Sequence, residues 1–225
     1  MIRRDYILRM IEQFFQLLNR LQSLKQDQRW KEAATTLDDQ FKQLIGCTPS
    51  QAVQLSETEL LAKLIQGEAS MAVRDKTFML ASLLKEAGDV AAAQEQRKES
   101  REYYLKGLHL VLETLGRGDA YELPEFVPKV EVFVSALNES PLSFQTHGLL
   151  MQHYERAGEC AKAEDALFAM LELEPDNPAL LDFGISFYQR LQAKQDAALE
   201  EGKLPREELE AALSDLRARK QALAA

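Results

Sequence analysis

The chain has 225 residues and a formal net charge of −9, from 36 acidic and 27 basic side chains. This length suffices for one sizeable domain or a short array of repeats. The acidic balance argues against nucleic acid as a partner, because a phosphate backbone would be repelled. The two cysteines, Cys47 and Cys160, lie far apart in the chain, which favours reduced thiols over a disulfide framework. We therefore expect a cytoplasmic protein.

The first two dozen residues carry apolar side chains at every third or fourth position, the period of an amphipathic helix. They are Tyr6, Ile7, Met10, Ile11, Phe14, Leu17, Leu18, Leu21 and Leu24. Asp5, Arg9 and Glu12 interrupt the run, so it is neither a signal peptide nor a membrane span. We expect this face to be buried against a second helix at about 29–45, with a dimer interface or contact with a membrane surface as the alternatives.

Short sequence signals predict where the next helices begin and end. Gly46 is expected to stop the helix over 29–45. Ser56 and Glu59 have the spacing of a capping box, which predicts a short helix ending near Gly67.

The middle of the chain predicts two long helices and then a connection. One helical pattern covers 70–87 and runs into Gly88, and the next covers 90–115. Glycines and prolines break the periodicity of 115–128, which predicts a connection between units. The β-branched residues of 130–134 would suit a strand, but the spacing of apolar residues around them favours a short helix.

The last third of the chain contains two predicted helix starts and a final amphipathic helix. Ser140 precedes Pro141 and Asn177 precedes Pro178, a capping residue followed by a proline suited to the first turn. The final helix follows Pro205, with one apolar stripe. The stripe consists of Leu209, Leu213, Leu216 and Leu223.

Residues 148–177 resemble one tetratricopeptide unit, a pair of antiparallel helices that stacks on similar pairs. The pattern is carried by Leu150 and Tyr154 on the first helix, Gly158 at the turn, Ala163 and Leu167 on the second helix, and Pro175 at the end. Met151 and Met170 stand where the family usually has small residues. Residues 80–112 and 178–199 resemble the unit more loosely.

Three segments of the chain also resemble an uncharacterised family of bacterial proteins classed as tetratricopeptide-like. They are MIRRDYILRMIEQF, RWKEAATTLDD and LSETELLAKLI. This resemblance covers most of the chain and implies a cytoplasmic bacterial protein with a helical-repeat fold. It implies no activity and supplies no catalytic residue.

The expected fold is all-α, a tetratricopeptide-like stack of antiparallel helical hairpins with a C-terminal capping helix. We expect a single helical-repeat domain over 1–225. Its parts are an N-terminal hairpin and short helix at 1–67, an irregular repeat at 68–115, a seam and short helix at 116–140, a clear repeat at 141–177, and a last repeat helix with the cap at 178–225.

Residues capable of metal or acid–base chemistry are present but are not arranged as a recognisable site. His109 and Glu113 have the spacing of two metal ligands on one helix, but no third ligand is evident. The GRGD string at 116–119 lacks the length, lysine and threonine of a phosphate-binding loop. We expect no enzyme activity, no metal and no cofactor.

The predicted function is noncatalytic binding of an unknown protein segment, because first helices of stacked repeats line a shared concave surface. The surface residues assigned by phase are Ser82, Lys85, Glu86, Gln152, Glu155, Arg156, Ser186, Gln189 and Arg190. One alternative is a homodimer or larger homo-oligomer that uses Ile7, Ile11 and Phe14 or the stripe Leu209–Leu223. Another is a small-ligand or enzyme site in the 115–146 seam, for which Phe126, Phe133 and Phe144 would leave no room if they filled it.

Overall fold

The computed structural model describes residues 2–65, 70–117 and 123–224. Within these ranges the backbone forms twelve α-helices and no strand, which confirms the all-α class. Contacts divide the chain into two compact units, Met1–Pro141 (unit 1) and Leu142–Ala225 (unit 2). Unit 2 begins one residue after the start predicted for the clear repeat, and the single domain, its five parts and the tetratricopeptide-like stack stay predictions.

Unit 1 contains seven of the described helices. They are α1 (Ile2–Gln26), α2 (Trp30–Ile45), α3 (Pro49–Ala52), α4 (Glu57–Ile65), α5 (Ser70–Ala93), α6 (Arg97–Arg117) and α7 (Val130–Ala136). Helix α5 contacts α1, α2, α4 and α6, so it forms the centre of the unit. Its residues 77–84 are all buried, as expected for a helix that is covered on every side.

The predicted end of α5 at Gly88 is wrong. The helix continues through Gly88 to Ala93, and the chain turns at Glu95, whose φ is 62°. Gly88 serves close packing instead, since a Cβ at this position would lie 2.9 Å from the Tyr104 ring on α6. The absence of a side chain therefore lets α5 and α6 approach each other closely.

Two predicted boundary signals in unit 1 are confirmed. Gly46 ends α2 in the left-handed region at φ 72°, where glycine carries no Cβ penalty. The backbone N–H of Ser56 donates to Glu59 Oε2 at 2.8 Å, and the N–H of Glu59 donates to Ser56 Oγ at 3.2 Å. This is the predicted capping box at the start of α4, while Gly67 lies outside the described residues.

The described part of the seam in unit 1 contributes aromatic side chains to the core. The Phe126 ring makes edge contacts with Phe14 and Phe15 of α1, at centroid distances of 5.3 and 5.9 Å. Phe133 is fully buried on α7 and lies against Gly107 of α6. The β-branched segment around it is helical, as predicted. Residues 118–122 of the seam are not described.

Unit 2 contains the other five described helices. They are α8 (Phe144–Ala157), α9 (Cys160–Leu173), α10 (Pro178–Gln192), α11 (Asp196–Glu201) and α12 (Arg206–Ala224). Helices α8 and α9 form the hairpin expected of the clear repeat, with Gly158 in the left-handed region at φ 79°. Helix α10 lies against α12 and contacts α9.

The two predicted helix starts in this part of the chain have different outcomes. Asn177 caps α10, since its Oδ1 accepts hydrogen bonds from the N–H groups of Ala179 and Leu180. The prediction for Ser140 is wrong, because α8 starts three residues later under a cap from Ser143. The carbonyl of Pro141 instead accepts a hydrogen bond from Arg101 at 2.9 Å. Helix α11 has no counterpart among the predicted helices.

The apolar stripe of the final helix is largely buried inside unit 2. Leu209, Leu213 and Leu216 of α12 are at most 2% exposed, whereas Leu223 is 45% exposed. A Cβ on Gly184 of α10 would lie 2.8 Å from a Leu216 methyl, so the two helices approach closely. Only the end of the stripe therefore remains available for contact between copies of the chain.

Candidate functional site

Six of the residues assigned to the predicted partner surface lie in unit 2, and two of them form an ion pair. The Arg190 guanidinium on α10 donates to both carboxylate oxygens of Glu155 on α8, at 2.7 and 2.8 Å. Such a bidentate pair fixes the relative position of two helices as well as contributing energy. The other assigned residues on α8 and α10 are exposed. They are Gln152, Arg156, Ser186 and Gln189.

The three residues assigned to this surface in unit 1 are buried or half-buried. Ser82 is 1% exposed, and its hydroxyl donates to the Phe126 carbonyl oxygen at 3.0 Å. It is unavailable to a partner, which corrects the prediction for this residue. Lys85 and Glu86 are half-buried and take part in a cluster of charges rather than an open surface.

This cluster, the Asp89 cluster, joins α1, α5 and α6 and consists of Lys25, Lys85, Glu86, Asp89 and Tyr104. Lys25 Nζ lies 2.5 Å from both Glu86 Oε2 and Asp89 Oδ2. Lys85 Nζ lies 2.9 Å from Asp89 Oδ2, and the Tyr104 hydroxyl donates to Asp89 Oδ1 at 2.7 Å. Asp89 therefore accepts from three side chains on three helices.

Electrostatics within the cluster favour the charged forms of Asp89 and Lys85. Burial raises the pKa of Asp89, but hydrogen bonds from Lys25 and Lys85 outweigh it and hold that pKa below its ordinary value. Burial lowers the pKa of Lys85, but the charges of Glu86 and Asp89 outweigh it and raise that pKa. Two cations and two carboxylates balance, so the arrangement suits structural cross-linking rather than proton transfer at neutral pH.

A second buried polar pair lies in unit 2, between α9 and α10. The Tyr188 hydroxyl donates to Glu164 Oε1 at 2.6 Å, and both residues are buried. Burial raises the pKa of the Glu164 carboxyl, and burial together with the hydrogen bond to Glu164 raises the pKa of the Tyr188 hydroxyl. Groups with shifted pKa values can mark active sites. Here the Tyr188 hydroxyl and the Glu164 carboxyl are hydrogen-bonded to each other, and the pair joins α9 to α10.

Changing Tyr188 to phenylalanine should lower the free energy of unfolding of unit 2 by about 1–2 kcal/mol, because it leaves the buried Glu164 carboxyl without its donor. The loss should be larger at pH 7 than at pH 4, since a carboxyl with a raised folded pKa costs stability as pH rises through its unfolded and folded values. Urea unfolding followed by circular dichroism measures the change. An equal loss at both pH values would contradict the pairing.

An open groove lies between α1, α2 and α5 in unit 1, with a volume of about 520 Å³. Its lining side chains come from one stripe of each helix. They are Tyr6, Arg9, Met10, Gln13, Phe14 and Leu17 of α1, Gln40, Gln43 and Leu44 of α2, and Lys76, Met79 and Leu83 of α5. The sequence predicts that the apolar stripe of α1 is buried against another helix. In the structure α2 and α5 bury only part of this stripe.

His109, whose spacing from Glu113 is that of two metal ligands on one helix, lies beside Glu57 of α4. Its Nδ1 lies 3.5 Å from Glu57 Oε1, and Lys106 Nζ lies 3.0 Å from the same oxygen. Burial lowers the pKa of His109, which favours the neutral imidazole. No group of three His, Cys, Asp or Glu side chains within 2–65, 70–117 and 123–224 is placed to hold a metal ion.

A helix that crosses a membrane must be both long and apolar. Among the helices of the described ranges, none combines the length and the apolar character that crossing a bilayer requires. The finding agrees with charged residues such as Arg9 and Glu12 that interrupt the apolar stripe of α1.

Comparisons with known proteins identify a family but no relative of known activity. No curated protein and no solved structure matches the chain. The tetratricopeptide resemblance therefore stays a prediction, whereas the resemblance to an uncharacterised family is supported. A family model matches residues 1–221, nearly the whole length. The chain belongs to the family of unknown function called DUF6483.

Proposed function

We propose that the protein is a noncatalytic interaction protein, whose unit 2 binds a segment of another protein across α8 and α10. The observation that carries the proposal is the bidentate pair between Glu155 and Arg190, because it joins α8 to α10. The tetratricopeptide-like stack belongs to the same proposal, since its first helices would line one binding surface.

The side chains around this pair suit a peptide better than a polyanion. Gln152 and Gln189 present amides that donate and accept hydrogen bonds, and Arg156 adds one exposed cation. The Glu155 carboxylate neutralises Arg190, so the surface carries little net charge. A partner segment with mixed polarity, rather than a phosphate backbone, fits this balance.

Site-specific photo-crosslinking in the cells that produce the protein tests the proposal. A photoreactive amino acid at Gln152 or Gln189 should crosslink the same partner protein from both positions, and Gln189→Glu combined with Arg156→Glu should reduce its binding at least tenfold. The matched control carries the probe at Glu210, which is exposed on α12. Crosslinks that are identical from all three positions would show that the surface is not specific.

A homodimer through α1 is the second candidate. Tyr6 and Leu8 are 49% and 57% exposed on this helix, and Ile7 and Ile11 are half-buried. Phe14, however, is buried within unit 1. Light scattering that finds only a monomer at high concentration would exclude this candidate.

The cellular setting is part of the proposal as well. A bacterial source and a cytoplasmic location follow from the sequence resemblance. The two cysteines are compatible with a reducing compartment, since Cys160 is buried and Cys47 is half-buried without a disulfide. Fractionation of producing cells would check the location.

A further inference from the structure

A buried carboxyl group in unit 2 has no cation among the described residues to balance its charge. Glu164 of α9 is 7% exposed, and its Oε1 accepts a hydrogen bond from the Tyr188 hydroxyl of α10. We propose that this pair is a pH-sensitive switch within unit 2, closed while the Glu164 carboxyl is protonated and destabilised when it ionises. The inference goes beyond protein binding and does not depend on it.

The Glu164 carboxylate has one neutral hydrogen-bond donor. Tyr188 is fully buried, and its hydroxyl is the single side chain in the described ranges that donates to Glu164. Lys162, two positions earlier on α9, pairs with Glu159 instead. An ionised carboxyl at this place therefore loses most of its hydration and gains no opposite charge in return.

The charged groups around the pair are acidic. Asp165 of the same helix and Glu208 of α12 both raise the pKa of the Glu164 carboxyl. Glu208 and Asp215 of α12 act on the Tyr188 hydroxyl in the same direction. Helix α8, which also packs against α9, contributes no charged group that acts on Glu164. Like charges disfavour a further negative charge, so these surroundings add to the effect of burial.

The direction of the pH response follows from the protonation equilibrium of Glu164. Burial raises the pKa of its carboxyl and outweighs the hydrogen bond from Tyr188, which lowers that pKa. Folded unit 2 therefore keeps this proton to a higher pH than the unfolded chain, in which the pKa of a glutamate is about 4.3. The contribution of Glu164 to stability is most favourable below about pH 4 and declines until the pH exceeds the folded pKa.

The switch lies at the smaller of two contacts of α10. This helix packs mainly against α12, where Gly184 allows a close approach to Leu216, and it makes a smaller contact with α9. Ionisation of Glu164 weakens the contact with α9, so it favours local opening between α9 and α10.

Urea unfolding of the intact chain between about pH 4 and 8, followed by circular dichroism, tests the proposal with Glu164→Gln. The amide keeps an acceptor for the Tyr188 hydroxyl but cannot ionise. As the pH rises, the folding equilibrium constant of the parent protein should fall relative to that of Glu164→Gln. The fall should be about tenfold for each unit by which folding raises the pKa. A ratio that stays constant, or that rises with pH, would overturn the proposal.

Hydrogen exchange measured by mass spectrometry locates the effect in the parent protein itself. After correction for the intrinsic pH dependence of exchange, the protection of α10 should fall as the pH rises from about 4 to 8. The same peptides of Glu164→Gln should keep constant protection. Protection of α10 that does not change with pH in the parent protein would overturn the proposal, even if Glu164→Gln failed to fold.

A matched variant and added salt separate the buried carboxyl from exposed acids. Glu207→Gln, at an exposed position of α12, should leave the pH dependence of unit 2 unchanged. In about 1 M sodium chloride the Debye length is about 3 Å, so the exposed Asp165 and Glu208 are screened while the burial of Glu164 is not. The pH-dependent difference between the parent protein and Glu164→Gln should persist in this salt. Its disappearance would overturn the assignment of the switch to the buried carboxyl.

Discussion

Replacing Asp89 with alanine should lower the free energy of unfolding of unit 1 by about 3 kcal/mol. The substitution removes the acceptor shared by Lys25, Lys85 and Tyr104 and leaves one excess positive charge in a half-buried cluster. Breaking a buried ion pair from one side costs about 3–5 kcal/mol, since the remaining charge loses its partner. The 24% exposure of the Asp89 side chain places the expected loss at the lower end of that range.

The same loss should depend on pH in a predictable direction. The pKa of Asp89 is depressed in the folded protein, where Lys25 and Lys85 outweigh the effect of burial. A carboxyl of this kind contributes stability that is complete above its unfolded pKa, about 4, and that disappears as pH falls through the folded value. The difference between the parent protein and Asp89→Ala should therefore be largest near pH 7 and shrink below about pH 4.

The chain offers a clean readout for unit 1, because Trp30 is its single tryptophan and lies at the start of α2. Urea unfolding followed by Trp30 fluorescence reports on this unit, even if the two units unfold separately. Asp39→Ala, an exposed carboxylate on α2, is the matched control and should change the midpoint little. A loss below about 1 kcal/mol for Asp89→Ala would show that the cluster is a surface network of little energetic weight.

Local signals predicted the helices well where side chain and backbone meet within one turn. The capping box of Ser56 and Glu59, the Asn177 cap and the left-handed Gly158 all depend on residues at most three positions apart. Their geometry is set by the chain itself, so composition and spacing suffice to predict it.

Predictions failed where packing between helices decides the outcome. Glycine commonly ends a helix, yet α5 continues through Gly88. This glycine instead makes room for the Tyr104 ring of the next helix. Ser140 is a residue type that commonly caps a helix, but the cap of α8 is Ser143. The Pro141 carbonyl accepts a hydrogen bond from Arg101, 40 residues earlier in the chain. Both outcomes depend on contacts that a single sequence does not show.

Predictions of the candidate sites also depend on whether contacts between helices decide the outcome. Helix phase placed Glu155 and Arg190 on one surface, and the structure brings them together. The same phase argument failed for Ser82, because it belongs to a run of α5, residues 77–84, in which every residue is buried. The groove combines side chains from three helices, and the sequence does not predict this combination, since Lys76 and Met79 become neighbours of α1 only through the tertiary fold.

Changing Gly202 to alanine should destabilise unit 2 by about 2–3 kcal/mol. Residue 202 has a φ of −74°, which any residue can adopt, so backbone strain plays no part. The obstacle is space, since a Cβ would lie 2.5 Å from the Gly158 carbonyl oxygen and 2.7 Å from Cys160 Sγ. The carbonyl of Gly202 also accepts a hydrogen bond from the Ala161 N–H at 3.0 Å, so the segment cannot withdraw without breaking it.

A matched glycine variant separates lost space from altered helix propensity. Gly148 lies within α8, and a Cβ there meets only the Met170 methyl at 3.8 Å, an ordinary contact. Gly148→Ala should therefore stabilise unit 2 by about 0.5–1 kcal/mol, the usual gain in a helix interior. Circular dichroism should show opposite shifts of the unfolding midpoint for the two variants, with the Trp30 transition of unit 1 unchanged in both. If Gly202→Ala were as stable as the parent protein, the segment after α11 would not pack against the α8–α9 turn, and α12 would lack this attachment to the first hairpin of unit 2.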